Sequence, residues 1–394
     1  MTGEPAPFWT RSYAPGVPAE VEVPYETLVD LLGTSVGRFP DRPALDFYGA
    51  TTTYAQLRDA VGRAAEVLRA QGVARGDRVA LVMPNSPQHV VAFHAVLRLG
   101  AVVVEHNPLY TPEELGQQFR DHGATVAVVW DVVAPVVQGL DAPALRTVLS
   151  VDLSRALPLV KRLALRLPLP KARATRRAMT VPAPGTTSWD DAVAGAAPLD
   201  GGWAPPAHED VALLQYTGGT TGSPKAAVLT HRNLIANVTQ ARAWVPGLRE
   251  GAEVFYGVLP LFHAYGLMLC LIAAVRLGAT LVVFPRFDVD QVLAVARRRP
   301  PTFLPGVPPI YDRLATAAAD RGVDLSATRF AISGAMPLPI ETIEQWESVT
   351  GGLVVEGYGM TETSPIALGN PMGPTRRPGT VGLPFPSTLI RVVD

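Results

Sequence analysis

Cysteine is nearly absent from this chain, with Cys270 the only one in 394 residues. A disulfide framework and a cysteine-ligated metal site are thereby excluded, and the pattern suits a reducing compartment such as the cytosol. Cys270 itself sits in Leu-Met-Leu-Cys-Leu-Ile and reads as a small buried hydrophobe. Neither sign of charge dominates: the net charge is −1, which excludes a general nucleic-acid binder but not a local basic patch. The histidines show no HxxE or HxxxH pairing, so a histidine metal site is not expected. Long apolar runs are missing too. The best, 265–275, is about half the length a bilayer span needs. The opening MTGEPAPFWTRSYAPG has no apolar core of signal-peptide type. The chain reads as soluble and cytoplasmic, or at most a peripheral visitor to the inner membrane face.

At this length a single hydrophobic core is not expected, and two or three lobes are. Strand patterns alternate with helix patterns, which argues for an α/β fold with mainly parallel sheets. One series runs through strands near 78–83, 101–105 and 124–130. It includes a helix opened by Thr111-Pro112-Glu113-Glu114, with Thr111 as N-cap and Pro112 in the first turn. A second series starts at Val211, with strands near 211–216, 254–258, 280–284, 330–333 and 353–356 and helices near 231–244, 288–298, 308–319 and 339–349. Between the series, 153–189 has no acidic residue but eight basic ones, interleaved with Leu and Val and interrupted by Pro158, Pro168 and Pro170. Two readings stand: a basic amphipathic surface that touches anionic lipid, or a solvated excursion joining the lobes.

Three Gly-rich polar segments follow strand patterns, where open α/β sheets bind their ligands. The first follows the apolar run ending at Gln215 and holds Thr217, Gly218, Gly219, Thr220, Thr221, Gly222, Ser223 and Lys225. Glycines let backbone N–H groups converge, and hydroxyls and an ammonium add donors, which suits phosphate oxygens. Ser223 and Pro224 separate the last glycine from the lysine, so this is not a Walker loop. The second segment, Leu-Pro-Leu-Phe-His-Ala-Tyr-Gly-Leu (259–267), places His263 among apolar neighbours, where packing and chemistry are both open roles. The third is Val-Glu-Gly-Tyr-Gly-Met-Thr-Glu-Thr-Ser-Pro (355–365), preceded by Ser-Gly-Ala-Met-Pro-Leu-Pro (333–339). Gly357 and Gly359 leave the Tyr358 ring free to lie on a nucleobase, and Thr361 with Glu362 offers a hydroxyl and a carboxylate for phosphate and Mg²⁺.

In this order, 216–225, 259–263 and 357–362 resemble the core motifs of the adenylate-forming superfamily, which holds acyl-CoA synthetases, luciferases and peptide-synthetase adenylation domains. The likeness runs from about residue 25 to the end of the chain. Asn-Pro-Leu-Tyr-Thr-Pro-Glu-Glu-Leu (107–115), Ser-Gly-Ala-Met-Pro (333–337) and the basic insert resemble bacterial long-chain fatty-acid CoA ligases most. Amino-acid-activating relatives usually carry Asp where His263 stands, so a plain carboxylic acid fits better.

The resemblance implies two αβ lobes and a smaller β-rich, distorted-barrel part. These map to about 25–200 with the insert, 208–365 with the ATP site, and 366–394. It also implies fatty acid, ATP, Mg²⁺ and CoA as reactants, with acyl-AMP forming first and acyl-CoA second, and a homodimer as a common state. In this scheme Lys225 and the loop from Thr217 hold the β- and γ-phosphates. Thr361 touches the α-phosphate, Glu362 holds Mg²⁺, and Tyr358 packs on adenine with Gly334 and Ala335 near its other face. His263, Tyr265, Leu267, Gly334 and Gly359 belong to the acyl pocket. Two departures stand out. Ala226 replaces the glycine usual after the loop lysine, and the sequence stops at Asp394, before a Thr-Gly-Asp motif, a hinge and a small C-terminal domain with a late lysine. A large domain that binds ATP and acid weakly and turns over poorly is the expectation. Transfer of acyl-AMP to a carrier protein, activation of an aryl acid, and a non-catalytic acyl or nucleotide sensor remain as other readings.

Overall fold

The computed structural model describes residues 7–217 and 224–393. Two twisted sheets carry the fold. The first has seven strands in the order Thr187–Ser188, Thr147–Val151, Val126–Trp130, Arg78–Val82, Val102–His106, Val211–Thr217 and Lys225–Thr230. All its pairings are parallel except the last, a hairpin. The second has nine strands, with a parallel centre of Pro43–Phe47, Thr280–Val283, Val254–Gly257, Phe303–Gly306, Phe330–Ser333 and Leu353–Gly359. Antiparallel strands flank it on both sides, Ala50–Thr53 at one edge, Ile366–Gly369 and Leu383–Pro384 at the other. The stretch expected to open a β-rich region is thus joined to this sheet through Leu353–Gly359.

Helices cover the sheet faces, as buried parallel strands require. Thr111 caps Pro112–His122 in a reciprocal box with Glu114, with Pro112 in its first turn, as the sequence indicates. The apolar run near 265–275 is a buried helix with a π-helical stretch, Leu267–Ile272, and Cys270 is fully buried within it. Gly266 is required there, because a Cβ would sit 2.1 Å from the Pro260 carbonyl oxygen. A Gly-x-Ser-x-Gly string at 33–37 lies inside helix Leu28–Arg38. Its Ser35 is buried and donates to the Val275 carbonyl, so it is not a hydrolase nucleophile elbow.

The structure corrects the placement of two segments. Val211–Thr217, read as the start of the second series, pairs with Val102–His106 and belongs to the first sheet. Pro43–Phe47 and Ala50–Thr53, read within the first lobe, belong to the second sheet beside Thr280–Val283. Asp46 holds that long-range pairing. Its fully buried carboxylate accepts from Arg298 at 2.6 and 2.7 Å and from Arg299 at 2.9 Å. Burial alone would raise its pKa, but Arg298, the Gly49 N–H and Arg299 outweigh it and hold the carboxyl below its ordinary value.

Candidate active site

The hairpin of the first sheet brings the two ends of the glycine-rich loop together. Val211–Thr217 leads out and Lys225–Thr230 returns, with Thr217 opposite Lys225. Gly218, Gly219, Thr220, Thr221, Gly222 and Ser223 lie outside the described residues. The Thr217 hydroxyl donates to the Lys225 carbonyl at 3.3 Å, and the Lys225 side chain is exposed. Thr230 then ends the return strand and caps helix His231–Trp244, exchanging two hydrogen bonds with Asn233.

The second segment leaves strand Val254–Gly257 and is gripped by the first sheet. Asn85, buried just past strand Arg78–Val82, donates to the Gly257 and Leu259 carbonyls at 3.1 and 2.8 Å and accepts from the Leu261 N–H at 2.7 Å. Gln215, in the hairpin, donates to the Phe262 carbonyl at 2.7 Å. His263 is held between these clamps as the N-cap of the next helix, its Nδ1 accepting from the Tyr265 N–H at 3.2 Å. An accepting Nδ1 leaves the proton of the neutral ring on Nε2, free to donate to a substrate oxygen. Desolvation by its neighbours lowers the imidazole pKa and favours that neutral form, although the ring reaches solvent.

Tyr265 ties this segment to the third. Its hydroxyl lies 2.7 Å from the Ile332 carbonyl and 3.2 Å from that of Gly306, the ends of two neighbouring strands. Its ring packs so close to Gly334 that a Cβ there would meet it at 3.1 Å. Ala335 takes a positive φ of 65°, turning the chain out of the sheet. Strand Leu353–Gly359 runs on through Gly357, Tyr358 and Gly359, where the sequence pattern ends it at 356. The antiparallel partner Ile366–Gly369 supports this extension. Gly359 has no room for a side chain, since a Cβ would sit 2.0 Å from the Pro365 carbonyl oxygen. Tyr358 is 44% exposed, its ring presented rather than packed. Thr361 and Glu362 follow on a single 3-10 turn, Thr361–Thr363, which packs against Lys225–Thr230 of the other sheet. The Glu362 carboxylate is exposed and makes no ion pair among the described residues.

The second and third segments converge on one cavity of about 80 Å³, whereas Thr217, Lys225 and Glu362 do not line it. His263, Tyr265, Gly334, Ala335, Gly357, Tyr358, Gly359 and Thr361 all line it. Leu267 does not; it is buried on the far side of its helix, and Leu269 faces the cavity instead. Trp244 and Phe385 close the back, stacked with ring centroids 4.4 Å apart. Sequence reasoning missed this pair, as it missed Asn85 and Gln215, because each acts across more than 40 residues of separation. Behind Ala241, Leu269 and Ile332, which face both spaces, lies a second, smaller apolar hollow of about 20 Å³. Larger surface hollows beside Asp288–Arg321 and beside the basic insert contain none of these motif residues.

No cluster of three or more His, Cys, Asp or Glu suited to a metal occurs among the described residues. A single open carboxylate beside a hydroxyl is the donor set expected when Mg²⁺ takes most of its oxygens from the phosphates it accompanies.

A cavity beside an open aromatic ring, with a hydroxyl–carboxylate turn packed against the lysine strand of the other sheet, has the parts expected of the adenylate-forming class of enzyme. The chain belongs to the AMP-binding enzyme family, which it matches over residues 32–394. It is 34% identical over 400 residues to a long-chain-fatty-acid–CoA ligase of Bacillus subtilis, covering 96% of this chain and 68% of that protein. Among solved structures it is similar to the anthranilate CoA ligase AuaEII in complex with anthranoyl-AMP. The TM-score is 0.78 at 25% identity, over 93% of this chain and 65% of that one. Apo MatB from Rhodopseudomonas palustris is similar at TM-score 0.75 and 28% identity, over 91% of this chain and 64% of that one. The chain thus spans roughly two thirds of the length of these proteins.

Proposed function

We propose that this chain carries the acid- and ATP-binding part of an AMP-forming fatty-acyl-CoA ligase. The observation that supports this reading most is the convergence of eight motif residues on one cavity, which we read as having a nucleotide end and an apolar end. At the nucleotide end, adenine lies against Tyr358, with Gly334 and Ala335 on its other side. Thr361 meets the α-phosphate, while Lys225 and the loop 217–225 meet the β- and γ-phosphates. Mg²⁺, when bound, neutralises phosphate charge and is held from the protein side by Glu362. The substrate carboxylate sits near His263 and attacks the α-phosphorus in line, expelling pyrophosphate; the thiol of CoA then displaces AMP from the acyl-adenylate. These residues contribute positioning and charge stabilisation rather than covalent chemistry.

The acyl chain points past Tyr265 toward Ala241, Leu269 and Ile332. The cavity is well below the ~300–1,000 Å³ of ordinary small-molecule sites. A medium or long chain therefore needs these side chains to move and join the two hollows. Strong resemblance to long-chain-fatty-acid–CoA ligases favours such a substrate over an aryl acid.

The test is calorimetric binding of a non-hydrolysable palmitoyl-adenylate mimic, a sulfamoyl adenosine, to the purified chain. Saturable binding that Tyr358→Ala and Thr361→Ala each weaken supports the reading. Equal binding by wild type and both variants, or tighter binding of a benzoyl mimic, would refute it.

A further inference from the structure

The insert between Leu153 and Trp189 folds into two short helices, Leu159–Ala164 and Pro170–Arg177, and neither buries a residue. It is nevertheless held in place. Arg155 pairs with Asp191 at 2.7 Å, Trp130 donates to the Met179 carbonyl at 2.9 Å, and Lys161 donates to the Tyr48 carbonyl at 2.9 Å. A solvated excursion would be expected to carry polar side chains outward. Here Leu159, Val160, Leu163, Leu167 and Leu169 are each at least 49% exposed. Helical spacing puts Leu159, Val160 and Leu163 on one face.

Beside this face opens a cleft of about 890 Å³ lined by Arg155, Arg162, Arg166, Arg173, Arg176 and Arg177, with Asp152 as its one carboxylate. Arg155 is matched by Asp152 and Asp191; the other five have no carboxylate within 4.0 Å among the described residues. Crowded guanidiniums and exposed leucines are each unfavourable in water, and one environment satisfies both: an anionic lipid surface. No helix among the described residues is long and apolar enough to cross a membrane, so the contact is with the surface.

We propose that 153–189 docks the protein on an anionic phospholipid bilayer. The leucines enter the boundary between headgroups and acyl chains, and the arginine cleft holds lipid phosphates. The insert begins at the C-terminal end of Thr147–Val151, the same sheet edge on which Thr217 ends. Four strand spacings separate the two strands, roughly 19 Å. The start of the docked segment and Thr217 therefore share an edge, and a fatty acid dissolved in the bilayer is presented on that side of the sheet. The lipid contact itself does not depend on the ligase reading and is measured without ATP or acid.

The experiment is co-sedimentation of the purified chain with phosphatidylcholine vesicles, with and without phosphatidylglycerol. Binding is expected only with phosphatidylglycerol, and to weaken with added salt. Each lysine or arginine near such a surface contributes roughly fivefold in affinity. The triple variant Arg166→Glu, Arg173→Glu, Arg176→Glu should therefore lose well over tenfold. Leu159→Ser with Leu163→Ser should also weaken binding. All these positions are exposed, and circular dichroism checks that the variants remain folded. Absence of sedimentation, or equal sedimentation of wild type and the triple variant, overturns the proposal. So does a thermal shift with millimolar inorganic phosphate that the triple variant abolishes while vesicles fail to bind, since the cleft would then serve a soluble anion.

Discussion

The Thr217 hydroxyl donates to the Lys225 carbonyl at 3.3 Å, closing the base of the hairpin from which the glycine-rich loop springs. The lysine backbone is thus set by a strand pairing, while its ammonium stays exposed for a ligand. Lys225→Met should cut acyl-adenylate formation or ATP affinity by about 10²–10³, the usual cost of one charge-stabilising donor. Its Tm should stay near wild type, because an exposed substitution is worth within about 0.5 kcal/mol. Calorimetric ATP titration beside a melting curve checks both, and a large fall in Tm with unchanged binding would count against the role.

Glu362 stands exposed on the turn that packs against the lysine strand. Glu362→Gln keeps shape and removes charge. ATP binding by this variant should lose most of its dependence on Mg²⁺, while binding in EDTA stays near that of wild type. Full Mg²⁺ dependence in the variant would instead favour a nucleotide sensor that takes its metal elsewhere.

Gly359 faces the Pro365 carbonyl with no space for a Cβ. Gly359→Ala must push the two antiparallel strands apart, at about 1–3 kcal/mol by analogy with overpacked cores. A lower Tm and weaker nucleotide binding are expected together, because the same strand presents Tyr358. Denaturant melts and calorimetry measure the pair, and normal binding would show that Tyr358 does not depend on this register.

Leu269 stands between the two apolar hollows. Leu269→Ala should shift affinity among acyl-adenylate mimics toward longer chains, and Leu269→Phe toward shorter ones. Titrating mimics of graded chain length reads the shift. Opposite or absent trends would place the acyl path elsewhere.

Acid should destabilise the fold. Burial lowers the imidazole pKa values of His94, His106 and His231 from 6.5 to about 4. The unfolded chain binds their protons near 6.5, so the stability contributed by the neutral rings is whole above that pH and is lost as pH falls toward about 4. Asp131, raised by burial to about 6, and Asp190, also raised by burial, act in the opposite sense, against these three histidines and the likewise lowered His122 and His263. Tm should fall between about pH 7.5 and about pH 5, and His106→Gln should lessen the fall. A flat profile in wild type would be the contrary result.

Much of the site was legible in the sequence because its parts are local. Glycines, a lysine and a Tyr-Gly-Met-Thr-Glu string sit where strands end, and helix boundaries fall within a few residues of Thr111, Thr230 and their like. Strand partners were not legible. Parallel strands buried on both faces are mostly apolar, so Val211–Thr217 and Pro43–Phe47 carry no local mark of which sheet takes them. Phe303–Gly306 was missed because Pro305 speaks against a central strand; it is tolerated where the ladder to Val254–Gly257 runs only through Phe255 and Phe303. Asn85 and Gln215 looked unremarkable because their work is done on distant backbone carbonyls.

The exchange of strands between the sheets bears on how the chain is made and cut. A ribosome-bound piece ending near residue 200 holds five strands of the first sheet yet lacks the hairpin that finishes its edge, and its strand Pro43–Phe47 has only the edge strand Ala50–Thr53 beside it until Thr280–Val283 emerges. The same holds for expression of either half: division near 200–208 separates Pro43–Phe47 from its parallel neighbour Thr280–Val283 and leaves the first sheet's edge on the other piece. The two sheets are therefore expected to fold together, and the contact between them beside the candidate site to form late, after nearly the whole chain has emerged.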